Sequence, residues 1–122
     1  MRYEITMLLM LFAILPSAFS QDQFYMNRAK GYMHDAEYYI RQAESYDREA
    51  EYYNKKARDY MREAESYMRS NNYEKASTYK KWAGDAMDKA KQQTRWADEA
   101  RDKARQQLRY AEDALERAKQ RR

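Results

Sequence analysis

Residues 39–60 read YIRQAESYDREAEYYNKKARDY, and this stretch decides the fold because two residue types recur in it every seven positions. Tyrosine keeps this interval over a longer run, at Tyr25, Tyr32, Tyr39, Tyr46, Tyr53, Tyr60 and Tyr67. Alanine keeps the same interval at Ala29, Ala36, Ala43, Ala50, Ala57 and Ala64. A strict seven-residue repeat holds one stripe of a helix against a partner helix, so the pattern predicts long helix–helix contacts.

A second alanine repeat follows with a different phase. It comprises Ala76, Ala83, Ala90, Ala97, Ala104 and Ala111, and continues to Ala118. The step from Ala64 to Ala76 is twelve residues, which is not a multiple of seven. Ser, Asn and Asn occupy positions 70–72 within this step, and such side chains favour helix caps. Asn71 followed by Glu74 approximates a capping box for a new helix.

These features predict an all-α fold in which two long antiparallel helices form a coiled-coil hairpin. We place the first helix at 22–69, the turn at 70–72 and the second helix at 73–120. If the chain reverses there, Ala64 faces Ala76, and each further alanine pair also has residue numbers that add up to 140. The twelve alanines from Ala29 to Ala111 would then line one helix seam. The pattern resembles close-packed antiparallel alanine coiled coils, as a structural class.

The side chains beside this seam predict contacts with further chains. In the second helix Trp82, Trp96 and Tyr110 recur every 14 residues, each directly before a heptad alanine. Together with the seven heptad tyrosines they form a predicted interaction face. Because alanine contributes little buried area, a lone hairpin gains little from its seam. We therefore expect a homo-oligomer, with two hairpins forming a four-helix bundle.

The first twenty residues form a predicted secretory signal peptide. Residues 7–15 are an unbroken apolar run, and Pro16 then leads to the small residues Ser17, Ala18 and Ser20. We place cleavage before position 21 and expect a secreted or periplasmic protein. The apolar run is about half of the ~20 residues that span a bilayer, so no transmembrane segment is expected after cleavage.

Composition predicts a protein that acts through contacts and not through catalysis. The chain has no Cys, one His and two Gly, which leaves no material for an imidazole cluster or a glycine-rich phosphate loop. We expect no enzymatic activity, no catalytic residues, no metal and no cofactor. The net charge is +4, but the signs are finely interspersed, so specific nucleic-acid binding is not expected.

The sequence thus favours an exported structural or self-assembling coiled-coil protein of the cell envelope or exterior. One alternative is an exported helical clamp or holdase that presents tyrosine and methionine faces to protein clients. Periplasmic chaperones with helical-hairpin arms are similar to it in shape and charge. Another alternative is a basic adaptor for an anionic envelope polymer, which the cations at positions 117, 119, 121 and 122 would contact.

Overall fold

Two helices account for the part of the chain that the computed structural model describes, residues 20–120. Helix α1 runs Ser20–Arg69 and helix α2 runs Tyr73–Gln120. The two helices pack as a hairpin, which confirms the predicted all-α class and the predicted hairpin.

The helix bounds lie close to the predicted ones. The end of α1 at Arg69 and the start of α2 at Tyr73 coincide with the prediction, whereas α1 begins at Ser20, two residues earlier than predicted. The predicted signal peptide lies outside the described residues, apart from Ser20.

Local side-chain pairs support both helices. Glu37 and Arg41 form a predicted ion pair four residues apart, with 3.9 Å between Oε2 and Nη1. Asp102 and Arg105 approach to 2.7 Å between Oδ1 and Nη1 at a spacing of three residues. Exposed pairs of this kind contribute about 0.2–0.5 kcal/mol each, so they favour helix without fixing how the helices pack.

The chain reverses through a Schellman motif at the end of α1. The backbone N–H of Asn72 donates to the carbonyl of Tyr67 at 2.8 Å, and the N–H of Asn71 donates to the carbonyl of Met68 at 3.1 Å. Asn71 has φ 61°, the left-handed conformation that this motif requires. Asparagine tolerates that conformation better than most residues with a Cβ, which explains an Asn where glycine is usual.

The same three residues also start α2, although the cap differs from the predicted one. Asn72, and not Asn71, is the N-cap residue, because its Oδ1 accepts a hydrogen bond from the Lys75 backbone N–H at 3.3 Å. Asn71 is already committed to the left-handed turn, and its Oδ1 accepts a bond from the Tyr73 hydroxyl at 3.1 Å. The capping-box prediction with Asn71 and Glu74 was therefore wrong by one residue.

The hairpin comprises two compact units, each with its own packing. The terminal unit contains Met1–Gln42 and Glu99–Arg122, and the central unit is Ala43–Asp98. The core of the terminal unit combines alanines with Met33, Leu108 and Leu115, against which Tyr32 and Ile40 pack. In the central unit the buried apolar side chains are alanines alone. Half-buried aromatic rings supply the remaining apolar packing there.

The capping role of Asn72 can be tested by substitution. Asn72→Ala removes the side-chain acceptor at the N-cap and should lower the free energy of unfolding by about 1 kcal/mol. Asn54→Ala is the control, because Asn54 is exposed in the interior of α1, where alanine has the higher helix propensity. Urea denaturation followed by circular dichroism gives both values. Equal or higher stability of Asn72→Ala would show that the side chain does not cap α2.

Candidate interaction surface

The predicted seam alanines are all buried. Their exposed fractions range from 0% to 7% across Ala29, Ala36, Ala43, Ala50, Ala57, Ala64, Ala76, Ala83, Ala90, Ala97, Ala104 and Ala111. Alanine buries little area, so these positions are valuable mainly for the short distance that they permit between two helix backbones.

The heptad tyrosines of α1 are half-buried, and those of the central unit contact α2 at alternating partners. Tyr46 packs on Trp96 and Tyr60 packs on Trp82, with ring centroids 5.6 and 5.8 Å apart. The intervening tyrosine meets a cation, since Lys89 Nζ lies 5.5 Å from the Tyr53 ring centroid. Tyr67 likewise has Lys75 Nζ 5.3 Å from its ring centroid.

The terminal unit shows the same alternation. Tyr32 packs on Tyr110 with ring centroids 5.4 Å apart, and Lys103 Nζ lies 5.7 Å from the centroid of Tyr39. In both units the residue numbers of each pair add up to 142. We call this set of heptad tyrosines and their α2 partners the ring ladder.

The 14-residue repeat of α2 explains the alternation. The α2 partners in the ring ladder are the residues directly before the heptad alanines. Those positions hold a cation and an aromatic in turn, namely Lys75, Trp82, Lys89, Trp96, Lys103 and Tyr110. A tyrosine every seven residues on α1 therefore meets π–π and cation–π partners alternately. Aromatic pairs contribute roughly 0.5–1.5 kcal/mol beyond their buried area, and exposed cation–π contacts about 0.5–1 kcal/mol.

Four rings of the central unit form a cluster beside the turn. Tyr79 stacks on Tyr67 with an interplanar angle of 20° and a centroid distance of 5.4 Å. It also meets Trp82 edge-on at 5.0 Å and lies 6.2 Å from Tyr60. Partial burial in this cluster raises the pKa of the Tyr79 hydroxyl above 10.0, and nearby negative charge on Tyr67 and Glu63 adds to the rise.

Several large apolar side chains remain exposed outside the seam. They are Phe24, Tyr38, Tyr52, Met61, Met68, Tyr73, Trp82, Met87, Trp96 and Tyr110. Three of the predicted face residues, the two tryptophans and Tyr110, thus combine a ladder contact with an exposed ring surface. The seven heptad tyrosines, by contrast, are partly covered by α2 of the same chain.

Each unit has one open cleft on the ring-ladder side. In the central unit a cleft of about 290 Å³ is lined by Tyr53, Lys56, Tyr60, Trp82, Asp85, Ala86 and Lys89. In the terminal unit a cleft of about 290 Å³ is lined by Tyr25, Arg28, Tyr32, Tyr110, Asp113, Ala114 and Arg117. The two sets match position by position, since every lining residue is displaced by 28 positions and keeps its chemical type.

A more apolar surface lies on another side of the central unit. Met61 and Met87 line a shallow groove of about 330 Å³, together with the arginines Arg58 and Arg62. Both methionines are exposed, and their flexible side chains can adapt to apolar groups of varied shape.

Comparison with protein-family models, with curated proteins and with solved structures finds no match to this chain. Neither α1 nor α2, over the residues described, has a stretch long and apolar enough to cross a membrane. Within residues 20–120, no group of three or more Asp, Glu or His side chains is placed to hold a metal ion. The functional argument therefore rests on the surfaces described above.

Sequence reasoning identified the aromatic members of the ring ladder but missed its cations. Lys75, Lys89 and Lys103 occupy the same place in the 14-residue repeat as the aromatics, offset by seven residues, and that spacing could have identified them. Tyr79 was also missed. It stands outside the tyrosine repeat, and only the packing of the turn-proximal cluster brings it against three rings.

The raised pKa of Tyr79 predicts an alkaline loss of stability. Because the folded protein holds this proton more tightly than the unfolded chain, the contribution is complete below about pH 10 and declines as the pH rises further. Urea midpoints measured across this range should fall less steeply for Tyr79→Phe than for the unaltered protein. Tyr73→Phe is the control, since Tyr73 is exposed. Identical pH profiles for Tyr79→Phe and the unaltered protein would contradict the assignment.

Proposed function

We propose that this protein is an exported, self-assembling coiled-coil protein with a structural role at the cell envelope or exterior. The observation that carries the proposal is the row of large aromatic and methionine side chains left exposed after the hairpin has formed. Exposed apolar groups of this size and number are typical of protein interaction surfaces. Export rests on the sequence of residues 1–20, with its apolar run and small residues before position 21.

An alanine seam is the proposed basis of the hairpin. It is supported by the burial of all twelve heptad alanines and by the ring-ladder contacts. Each ladder tyrosine lies three residues after a heptad alanine, and each partner lies one residue before one. Ladder pairs with the sum 142 are therefore consistent with alanine pairs with the sum 140. Small residues on both helices would let the backbones approach to the lower end of the usual 8–10 Å.

The proposed assembly is a dimer of hairpins that forms a four-helix bundle. The interior of the central unit is alanine-rich, so the hairpin buries less apolar area there than a core of large aliphatic residues would. A second hairpin would cover the exposed edges of Trp82, Trp96 and Tyr110 and would add the missing burial.

A client-binding clamp is the second candidate, and the groove at Met61 and Met87 favours it. Flexible methionines beside arginine side chains suit binding of varied apolar segments that carry acidic residues. The alternative as a basic adaptor for an anionic polymer rests on the cations of the C-terminal turn, Arg117 and Lys119.

Sedimentation velocity at several protein concentrations tests self-assembly directly. We expect the mass to rise with concentration to a whole-number multiple of the chain mass, because the exposed rings become buried between copies. A single-chain mass at every concentration, together with a cooperative thermal transition, would contradict self-assembly. A mass that rises only when an unfolded client is added would instead support the clamp.

The seam should accept extra bulk poorly. Ala90→Leu would push apart two closely packed backbones and should lower the free energy of unfolding by about 1–3 kcal/mol. Gln92→Leu adds the same side chain at an exposed position of α2 and should cost little. Thermal denaturation of the two variants distinguishes them. If both melt together with the unaltered protein, the alanines are present only for their helix propensity.

A further inference from the structure

Three exposed rings of α1 recur at the same interval as the two clefts. Phe24, Tyr38 and Tyr52 follow one another at 14 residues and are 54%, 52% and 51% exposed. Each lies directly before a heptad tyrosine and meets that ring edge-on, with centroids 5.3–5.4 Å apart. The other heptad tyrosines are preceded by Gly, Ser or Asp. We call these three rings the knobs.

Each knob is held by the residue four positions further along α1. Arg28 lies over Phe24 at 5.7 Å from its ring centroid, and Lys56 lies over Tyr52 at 5.3 Å. Between them, the Gln42 amide donates a 2.8 Å hydrogen bond to the Tyr38 hydroxyl. These contacts fix rings that would otherwise lose side-chain freedom on binding, which lowers the entropy cost of burying them.

Arg28 and Lys56 also line the two clefts, so a knob stands at the edge of a cleft in each unit. Both clefts occur where α2 carries a small residue, Ala86 or Ala114. Seven residues before Ala86 the equivalent position holds Tyr79, whose ring fills the space. A cleft is therefore a place where the hairpin leaves room for one large side chain that it does not itself supply.

We propose that a knob of a second copy of this chain fills each cleft. The proposal rests on self-assembly as proposed above and names the surface that carries it. Tyrosine suits the central cleft chemically, because the rings of Tyr53, Tyr60 and Trp82 offer edge-to-face contacts. The hydroxyl of an inserted tyrosine would donate to the Asp85 carboxylate, and the ammonium of Lys89 would face its ring.

The intervals on the page favour a second copy over a free ligand. Phe24 and Tyr52 are 28 residues apart on α1, and the lining residues of the two clefts are also displaced by 28. Knob and cleft lie on one surface of each unit, so two copies can exchange knobs through the same patch. Such a contact is isologous and closes as a twofold dimer.

The decisive experiment uses the full chain with the knobs removed. Sedimentation equilibrium of the triple variant Phe24→Ser, Tyr38→Ser and Tyr52→Ser should show the dimer dissociation constant raised at least about a hundredfold. Tyr73→Ser is the matched control, because it removes a ring that is 63% exposed but outside the 14-residue interval. It should leave the dissociation constant unchanged, and far-UV circular dichroism should show both variants helical.

Photo-crosslinking locates the partner independently of any change in folding. The photoreactive residue p-benzoylphenylalanine in place of Tyr52, mixed with isotopically labelled unaltered chains, should crosslink between copies onto residues 53–60 or 82–89. The same residue in place of Tyr73 should not.

The outcomes separate this inference from the proposed function. If the unaltered protein is monomeric throughout, self-assembly and the knob contact both fail. If it assembles but the triple variant assembles equally well, self-assembly holds and the knob contact is overturned. Crosslinks only within one chain would also overturn it and would leave the clefts to another ligand, such as an anionic polymer.

Discussion

The constraint on which the rest of the structure depends is the close approach of two helices that both present alanine every seven residues. Bulky aliphatic residues are scarce in this chain, so the usual source of coiled-coil stability is limited to the terminal unit, where Met33, Leu108 and Leu115 are packed. Elsewhere, small side chains at the centre bring the helices near enough for larger side chains at the edge to meet. The ring ladder is a consequence of that proximity, because each tyrosine reaches across to α2.

The two helices carry repeats of different length, and this difference produces the surface. A seven-residue repeat on α1 read against a 14-residue repeat on α2 gives each tyrosine a cationic or an aromatic partner in turn. It also leaves one cleft for each full period described, where α2 has alanine in place of a larger residue. A duplicated helical module thus generates a repeated surface without any additional loop or strand.

The sequence was sufficient to predict the helices, the turn and the hairpin, because phase and capping residues are local signals. Periodicity also identified the buried alanines as one stripe. The N-cap was misplaced because Asn71 and Asn72 are chemically alike, and only the backbone shows which of them adopts the left-handed conformation. The clefts were not predictable from periodicity alone, because they depend on what each side chain fails to fill.

The surface properties suit assembly better than catalysis. The exposed residues are aromatic, aliphatic or freely solvated charges, and the two clefts are open, with no side chain enclosed well enough to act as a strongly perturbed acid or base. A ladder of half-buried rings gives a stiff contact between helices at low side-chain entropy cost. Rigid hairpins with repeated aromatic edges have the properties required of units that pack side by side.

The most direct test of the account is the register of the ring ladder, measured by crosslinking. The chain has no native cysteine, so only introduced thiols can react. Tyr53→Cys combined with Lys89→Cys should be joined within one chain by a short bis-maleimide, because the two side chains face each other. Tyr53→Cys combined with Trp96→Cys is displaced by one heptad, about 10.5 Å along the helix, and should react poorly. Equal reaction of the two pairs, or products linked only between chains, would contradict the antiparallel register from which the ladder, the seam and the clefts all follow.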